Sequence, residues 1–345
     1  MKLSEFDFTL PERLIAQHPA PKRDHSKMMV VWRQSGNIEH HRFSELPEII
    51  GPDHFLVLNN TRVFPARLYA SRPGKQEEIE VLLLREVASR DWLALVKPAR
   101  KAPLGQKLKI GDLSAQVLEI KASGSRIFRF EPGVNLEEAF EKIGVPPTPP
   151  YIRRQPNQDH SEDKLRYQTV YARHSGSVAA PTAGLHFTEE VLGRLKARGV
   201  NVCELLLHVG YGTFQPVRSE DIEAHEMESE YYRLDTDNAL HINRLKAAGR
   251  RLIAVGTTST RCLEHLARQE HPLEGESSGF CNLFIYPGFE FKILDGLLTN
   301  FHLPRSTLFM LVCAFAGREL MLDCYREAIA NNYRFYSYGD CMLIL

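Results

Sequence analysis

The sequence predicts an α/β protein: a larger domain with a mostly parallel sheet covered by helices, and a smaller antiparallel β-barrel domain. Two observations predict this fold class. From about residue 186 onward, apolar strand-like stretches alternate with helix-like stretches, which is typical of a parallel sheet with helical connections. Between residues 64 and 130, short β-rich stretches are instead separated by glycine and proline turns, as in a small antiparallel barrel or sandwich.

The first 150 residues supply the start of the larger domain and all of the smaller one. A short helix is predicted after Pro11, which suits a first helical turn. The predicted strands are Lys27–Trp32 and Phe55–Asn59, followed by Glu78–Arg85, Trp92–Val96, Ala115–Ile120 and Arg126–Phe130. A proline cluster at 146–150 ends this region, because such a segment continues neither a helix nor a central strand. We therefore predict a larger domain of residues 1–62 and 151–345, with residues 63–150 as the inserted β-barrel domain.

The second half of the chain alternates between helices and strands. Thr188 is a plausible N-cap, and Gly199 and Gly249 are plausible helix stops. The predicted helices are Glu189–Arg198, Asp237–Ala248, Ser259–Gln269, Ser306–Ala316 and Leu320–Asn331. The predicted strands are Val200–His208, Arg251–Val255, Asn282–Tyr286, Gly296–Asn300 and Tyr333–Ser337.

Composition narrows the class of protein without identifying a function. The 345 residues include 43 basic and 43 acidic side chains, a formal net charge of zero, so a nucleic-acid partner would need a local basic patch. The longest apolar run, 308–316, is far shorter than the ~20 residues that span a bilayer. The N-terminus also lacks the apolar core of a signal peptide. We expect a soluble cytoplasmic protein whose six cysteines are buried free thiols.

Four polar loops follow predicted strands, at the places where open α/β sheets bind ligands. They are 208–217, 256–261, 299–307 and 337–340. Each combines small residues, which let a ligand approach the backbone closely, with a few polar side chains. Any one loop is equally well explained as a tight turn or a helix start. Together, at like ends of neighbouring strands, the four predict one composite pocket.

The four loops, together with three other segments, resemble sequence motifs of one known family, the S-adenosylmethionine:tRNA ribosyltransferase-isomerases. The motifs occur in the family's order and extend over almost the whole chain. They are residues 10–17, 59–68, 179–188, 208–217, 256–261, 299–307 and 333–340. The chain departs from the family pattern at Glu228, where a histidine is usual, and at Lys27, where an arginine is usual.

The resemblance implies a reaction with two substrates. S-adenosylmethionine would donate its ribosyl moiety to 7-aminomethyl-7-deazaguanine at the wobble position of tRNA, giving epoxyqueuosine and releasing adenine and methionine. A base would remove a proton from the 5′ carbon beside the sulfonium, and an acid would assist the departure of adenine. S-adenosylmethionine would be a co-substrate, with no metal or other cofactor required, and the enzyme would be a monomer.

The resemblance and the residue types give candidate site residues. Histidine titrates near neutral pH and carboxylates can orient it, so His186, His208, Glu230 and Asp340 are the catalytic candidates. Polar side chains and close-approach glycines in the motifs are the substrate-binding candidates: Asn59, Asn60, Thr61, Arg62, Thr182, Gly184, Gly210, Gly212, Thr213, Thr257, Thr258, Arg261, Thr299, Asn300, His302 and Ser306. Aromatic candidates for contact with the sulfonium or a base are Phe187, Tyr211, Phe214 and Phe301.

Two basic clusters are candidates for contact with tRNA phosphates. They consist of Lys97, Arg100, Lys101, Lys107 and Lys109 in the β-barrel domain, and of Arg153 and Arg154 beyond it. A solvated surface explains the same charges equally well.

Two other classes of function compete with this interpretation. A non-catalytic tRNA-binding protein would not need the polar loops of the larger domain. An S-adenosylmethionine-dependent RNA methyltransferase would usually carry a glycine-rich loop after its first strand, whereas here residues 59–62 follow the early strands.

Overall fold

The computed structural model describes residues 1–154, 159–210, 212, 217, 219–269, 273 and 275–345. Its strands are β1 (Lys27–Trp32), β2 (Asn37–Arg42), β3 (His54–Asn59), β4 (Thr61–Val63), β5 (Arg67–Ala70), β6 (Ile79–Ala88), β7 (Asp91–Lys97), β8 (Lys107–Ile110), β9 (Leu113–Ile120), β10 (Arg126–Phe130), β11 (His174–Ser177), β12 (Asn201–Leu207), β13 (Glu230–Leu234), β14 (Arg251–Val255), β15 (Ser277–Cys281), β16 (Gly296–Asn300) and β17 (Cys341–Ile344). Its α-helices are α1 (Leu46–Ile49), α2 (Leu136–Ile143), α3 (Ser161–Arg166), α4 (Glu189–Ala197), α5 (Thr236–Ala247), α6 (Thr257–Gln269), α7 (Thr307–Ala316) and α8 (Arg318–Ala330).

Nine strands from both halves of the chain form one large sheet in the order β15-β13-β12-β3-β14-β16-β17-β1-β2. Strands β12, β3, β14 and β16 are parallel neighbours, and β17 is antiparallel to β16 but parallel to β1. At the two ends of the sheet the pairing is antiparallel: the edge strand β2 pairs with β1, and β13 lies between β12 and the edge strand β15. The predicted fold class is confirmed, with a mixed sheet built around a parallel centre.

Both faces of this sheet are buried, which explains why its central strands are continuously apolar. In β3, Phe55 and Val57 belong to one hydrophobic cluster, whereas Leu56 and Leu58 belong to another on the opposite face. Helices α5 to α8 contribute to the first cluster, and α1 and α4 to the second. The alternation of β3 thus fixes which helices lie on which side.

The second sheet is a nearly closed antiparallel barrel of six strands in the order β5-β6-β7-β10-β9-β8. Its two edges meet where Ser71 and Lys109 exchange backbone hydrogen bonds of 2.9 and 2.8 Å. The barrel has its own hydrophobic cluster, into which α2 inserts Phe140. The small β-barrel is therefore present, while the domain limits at 62/63 and 150/151 stay a prediction.

A third sheet consists of two parallel strands, β4 and β11, and pairs residues from 61–63 with residues from 174–177.

Two predicted strands are wrong, and both were apolar segments packed as loops. Residues 282–286 follow β15 instead of forming a strand, and Leu283, Phe284 and Tyr286 pack against the main cluster. Residues 333–337 contain Tyr336 with φ of 74°, a conformation that a strand does not allow. The last strand is Cys341–Ile344 instead.

Most other predicted elements are confirmed within a few residues. Strands β1, β10, β14 and β16 have the predicted bounds, and Thr188 caps α4 by accepting a hydrogen bond from the Val191 N–H at 3.1 Å. The predicted helix after Pro11 is a single 3-10 turn, Glu12–Leu14, because Ile15 then bridges to Phe335. All six cysteines are free and buried, as predicted. Among the described residues, no helix has the length and apolar character needed to cross a membrane.

Asn59 joins β3 to β12 where both strands end. Its side chain donates to the Leu207 carbonyl at 2.9 Å and accepts from the Leu207 and Thr61 N–H groups, each at 3.1 Å. Asn59→Ala would leave these buried backbone groups unsatisfied, at about 1–3 kcal/mol each. We expect urea denaturation to show a loss of at least about 3 kcal/mol. Asn37→Ala, on an exposed strand end, is the control, and equal stability of the two variants would contradict this role.

Candidate active site

A cavity of about 590 Å³ lies where the parallel strands end. All four predicted polar loops reach it: Val209 and Val217 come from the first, Gly256, Thr257 and Thr258 from the second, Thr299, Asn300, His302 and Ser306 from the third, and Ser337 from the fourth. The segment 180–183 completes one wall. This convergence follows from topology, because β12, β3, β14 and β16 are parallel and the loop before β17 returns to the same edge.

His302 is the motif histidine that lines the cavity. Its Nε2 lies 2.8 Å from the Thr299 hydroxyl, and its backbone N–H donates to the Tyr325 hydroxyl at 2.9 Å. Burial lowers the pKa of His302 to about 3, so the imidazole is neutral at physiological pH. A neutral ring held by a hydroxyl can accept a proton or a hydrogen bond from a ligand.

Asn300 also lines the cavity, and its side chain is hydrogen-bonded to His186, which does not line the cavity. The Asn300 Nδ2 donates to His186 Nε2 at 3.2 Å and to the Tyr336 carbonyl at 3.1 Å. Burial, with Arg334 and Arg23 nearby, lowers the pKa of His186 to about 3. A neutral ring that accepts at Nε2 carries its proton on Nδ1, which therefore donates to the Ser26 hydroxyl at 2.7 Å. Asn300 Oδ1 is buried and has no hydrogen-bond partner among the residues that the structure describes.

Two helices begin at the cavity. Helix α6 starts at Thr257 directly after Gly256, whose φ of 93° turns the chain out of β14. Helix α7 starts after Ser306, which accepts from the Phe309 N–H at 3.1 Å. Because helix N-termini carry partial positive charge and free N–H groups, this wall of the cavity favours an anionic group.

Two tyrosines in the cavity wall were missed by the sequence analysis. Tyr151 and Tyr336 stack with ring centroids 4.2 Å apart, and the Tyr151 hydroxyl lies 2.6 Å from the Ser337 hydroxyl. Tyr151 follows the proline cluster, which gave no sign of its position. Of the aromatic candidates, Phe187 and Phe301 are fully buried in the core, and Tyr211 and Phe214 lie outside the described residues.

Glu230 forms a buried ion pair with Arg261, and neither residue lines the cavity. Arg261 Nη1 lies 2.6 Å from Glu230 Oε2, and Glu230 Oε1 accepts from the Gly210 N–H at 2.9 Å. Arg261 also donates from Nε to the Leu283 carbonyl at 2.7 Å. The pair thus ties the loop after β12 to α6 and to the segment after β15.

Asp340 anchors the loop before β17 and is also away from the cavity. It is buried, and its oxygens accept from the Lys27 and Arg334 N–H groups at 2.9 and 2.7 Å. Burial raises the pKa of this carboxyl, while the two backbone hydrogen bonds oppose that rise. The geometry suits an anchor for the turn that carries Tyr336 and Ser337.

The residues after β3 lie beside a different surface. Thr61 Oγ1 is 2.8 Å from Nδ1 of His208, and Asn60 Nδ2 donates to Glu204 at 3.0 Å. Burial lowers the pKa of His208 to about 4. Arg62 is half exposed, with its guanidinium 3.4 Å from Glu141. None of these four, nor Asn59, is among the residues that line the cavity.

The remaining substrate-binding candidates divide into three groups. Thr182 lines the cavity beside Thr257 and Thr258. Gly184, Gly210 and Gly212 are not among its lining residues, and Gly184 lies so close to Tyr171 and Thr169 that a Cβ would be 2.0 Å from the tyrosine hydroxyl. Thr213 lies outside the described residues.

The two departures from the family pattern have clear contacts. The Gly212 N–H donates to the Glu228 carboxylate at 3.0 Å. The Lys27 ammonium donates to the Asn331 carbonyl at 2.8 Å, at the C-terminus of α8. The contact of Glu228 uses a carboxylate where the family usually has a histidine. The contact of Lys27 uses a single ammonium donor where the family usually has an arginine.

Several residues of the predicted basic clusters are already paired. Lys101 lies 3.0 Å from Glu77, and Lys107 lies 3.8 Å from Glu131. Arg153 pairs with Glu12 at the surface, while the Arg154–Asp163 pair is buried at 2.7 Å. Lys97, Arg100 and Lys109 are exposed and form no ion pair with the described residues, so they are the charges left to meet an anionic partner.

Comparisons with known proteins agree on one family. Residues 3–344 match the family model described as queuosine biosynthesis protein. The S-adenosylmethionine:tRNA ribosyltransferase-isomerases of Desulfitobacterium hafniense and Staphylococcus aureus are 52% and 47% identical, over 100% of both chains in each case. The crystal structure of the S-adenosylmethionine tRNA ribosyltransferase from Thermotoga maritima is 39% identical and has a TM-score of 0.57, covering 99% of this chain and 100% of that one.

The buried neutral histidines make stability depend on pH. The folded-state pKa values of His186, His302 and His208, about 3, 3 and 4, lie below the unfolded value of about 6.5. Below pH 6.5 the unfolded chain therefore binds protons that the folded protein does not. The free energy of unfolding decreases as the pH falls toward 4, by about 1.4 kcal/mol per pH unit for each histidine.

Urea denaturation between pH 6 and 4.5 measures this slope. His302→Gln should lower the slope by about 1.4 kcal/mol per pH unit. Equal slopes for the wild type and His302→Gln would show that the ring titrates normally.

Proposed function

Because the chain belongs to the queuosine biosynthesis protein family, we infer that it is an S-adenosylmethionine:tRNA ribosyltransferase-isomerase. It transfers and isomerises the ribosyl moiety of S-adenosylmethionine onto 7-aminomethyl-7-deazaguanine in tRNA. The products are epoxyqueuosine-tRNA, adenine and methionine. Full-length identity of about half of all residues to proteins of that name carries the conclusion.

The cavity is the proposed site for S-adenosylmethionine. Its volume of about 590 Å³ falls within the ~300–1,000 Å³ of small-molecule sites. It also offers three kinds of surface that this ligand needs: helix N-termini for its carboxylate, aromatic rings for its sulfonium, and amide or hydroxyl groups for its adenosine.

We assign these surfaces as follows. The start of α6, with Thr257 and Thr258, receives the carboxylate. The stacked rings of Tyr151 and Tyr336 line the same cavity and suit the sulfonium. Asn300 binds adenosine, since a donor from the ligand would satisfy its unpaired Oδ1 and recover about 1–3 kcal/mol of desolvation cost.

His302 is the proposed acceptor for the proton that leaves the 5′ carbon. It lines the cavity, and burial keeps its ring unprotonated. Because the lowered pKa also makes the ring a weak base, removal of the proton depends on the acidity that the adjacent sulfonium gives to the 5′ carbon. His186 acts through Asn300 and is a positioning residue. The ion pair of Glu230 and the hydrogen bonds of Asp340 favour structural roles for both carboxylates.

We further propose the following properties, which the family resemblance favours. The modified nucleotide is at the wobble position of the tRNA anticodon. The reaction takes place in the cytoplasm, and the enzyme is a monomer. S-adenosylmethionine is consumed as a co-substrate, and the proposed steps require no metal or other cofactor.

Adenine release from S-adenosylmethionine tests the function directly. We expect purified protein to release adenine only when tRNA carrying 7-aminomethyl-7-deazaguanine is present. Methyl transfer to the RNA without adenine release would instead support the methyltransferase alternative. Binding of tRNA with neither reaction would support a non-catalytic role.

Substitution of His302 tests its role as the base. His302→Gln retains a hydrogen-bonding group toward Thr299 but not the basic ring, and we expect turnover to fall by about 10²–10⁴-fold. Binding of S-adenosylmethionine, followed by calorimetry, should change little. His241→Gln on α5 is the matched control. Turnover of His302→Gln close to that of the wild type would assign the proton to another group.

The unpaired basic residues of the barrel give a prediction for tRNA binding. Changing Lys97, Arg100 and Lys109 to glutamine should weaken binding and reduce the slope of log K against log salt by about 2 to 3. Lys196→Gln with Arg198→Gln, at exposed positions at the end of α4, is the control. A salt slope that does not change in the triple variant would remove this patch from the tRNA interface.

A further inference from the structure

A second cavity of about 420 Å³ lies where the barrel meets the rest of the protein. Its floor is aromatic: the ring of Trp92 packs against Phe64 at 5.7 Å and against Phe140 at 5.3 Å between centroids. Ser175 and Gly176 of β11 form the opposite wall. The indole N–H of Trp92 is buried and has no hydrogen-bond partner in the described part of the chain, which is a cost that an acceptor from a ligand would remove.

The motif residues that do not reach the first cavity lie directly behind this one. The imidazole of His208 is so close to Gly176 that a Cβ there would be 2.7 Å from its Nε2. Thr61, which contacts His208, pairs with His174 at the start of β11, and Arg62 pairs with Ser175. Arg62 also reaches Glu141 on the rim of the cavity. These residues therefore support the wall formed by β11.

One short segment connects the two cavities. Gly176 lines the second cavity, and Ala180 lines the first. Four residues of chain extend at most ~14 Å, which a short stretch of single-stranded RNA can span. The segment is held firmly, since Ser177 donates to the Ala179 carbonyl at 2.7 Å and accepts from the Val209 N–H at 2.9 Å.

We propose that the second cavity binds one unpaired nucleobase of the tRNA, close to the nucleotide whose base is modified in the first cavity. This inference rests on the proposed function, which makes tRNA the substrate. Proteins that recognise single-stranded RNA take splayed bases onto aromatic rings and hydrogen-bond their edges. Trp92 supplies the ring, and its indole N–H supplies a donor.

The charges around the cavity select a base rather than a phosphate. Glu86, Glu137 and Glu141 lie on the rim, and carboxylates repel phosphate but accept hydrogen bonds from the amino groups of bases. Arg90 lines the same cavity and donates to the Phe130 and Val134 carbonyls at 3.2 and 3.0 Å. The half-exposed Arg62 is placed outside, where it can meet the backbone of the same strand.

Tryptophan fluorescence reports on this cavity directly. The chain has two tryptophans, so Trp32→Phe leaves Trp92 as the single emitter. We expect an anticodon stem-loop RNA to quench or shift that emission as it binds. Emission that stays constant while the RNA saturates the protein would overturn the proposal.

Two variants test the contribution of the cavity to binding. Trp92→Ala removes the stacking surface and should weaken binding of the stem-loop about 5- to 150-fold, the range for loss of one stacked base.

Because Trp92 also packs in the barrel, its substitution could disturb the fold, and Ser175→Phe therefore provides the decisive test. Ser175 is exposed on the wall, so its phenylalanine fills the cavity from the surface and should weaken binding at least about fivefold. Ser35→Phe, at an exposed turn, is the matched control.

The outcomes separate this proposal from the proposed function. The KM for S-adenosylmethionine should be the same in Ser175→Phe as in the wild type, while the KM for tRNA rises. If the wild type releases adenine and Ser175→Phe binds the stem-loop as tightly as the wild type, the base site is wrong and the function stands. If the wild type releases no adenine with the modified tRNA, the function itself is wrong.

Discussion

The site depends on one constraint of topology: the strands β12, β3, β14 and β16 run parallel and end at a common edge of the sheet. Parallel strands place their following loops side by side, and β17 brings one more loop to the same edge by running antiparallel to β16. Asn59, the last residue of β3, holds the end of β12 in register through two hydrogen bonds to the Leu207 backbone.

Desolvation is the second feature that organises the site. The histidines of three motifs are neutral in the folded protein, and each is held by a hydroxyl: Ser26, Thr61 or Thr299. Hydroxyl partners fix the ring without adding charge, so burial lowers the pKa with no carboxylate to oppose it. The buried pair of Glu230 with Arg261 does not line the cavity, whereas Arg305 lines it and is paired with Asp7. A ligand in the cavity would therefore meet the neutral ring of His302, while the helix N-termini are left for its anionic group.

The sequence predicted the loops of the site better than the roles of their side chains. Apolar strands followed by polar loops were visible as a pattern, and all four loops reach the cavity. The pattern does not say which way a side chain points after its strand ends, and so His208 was grouped with residues of the cavity although it faces β11. Tyr151 was missed because only tertiary packing brings it to Tyr336. Edge strands β2 and β15 were missed because their exposed, polar sequences lack an apolar pattern.

The same chain segment that builds the wall of the first cavity also builds the wall of the second, and this continuity has a mechanical consequence. Ser177 is hydrogen-bonded to Val209, and both residues are buried, so a displacement of β11 is transmitted to a residue of the first cavity. Val209 is followed by Gly210, whose N–H is held by the ion-paired Glu230. A ligand that contacts β11 thus contacts a segment whose hydrogen bonds to Val209 fix it to the loop after β12. The two cavities therefore share one structural segment, 176–180, which is held to Val209 and, through the neighbouring Gly210, to Glu230.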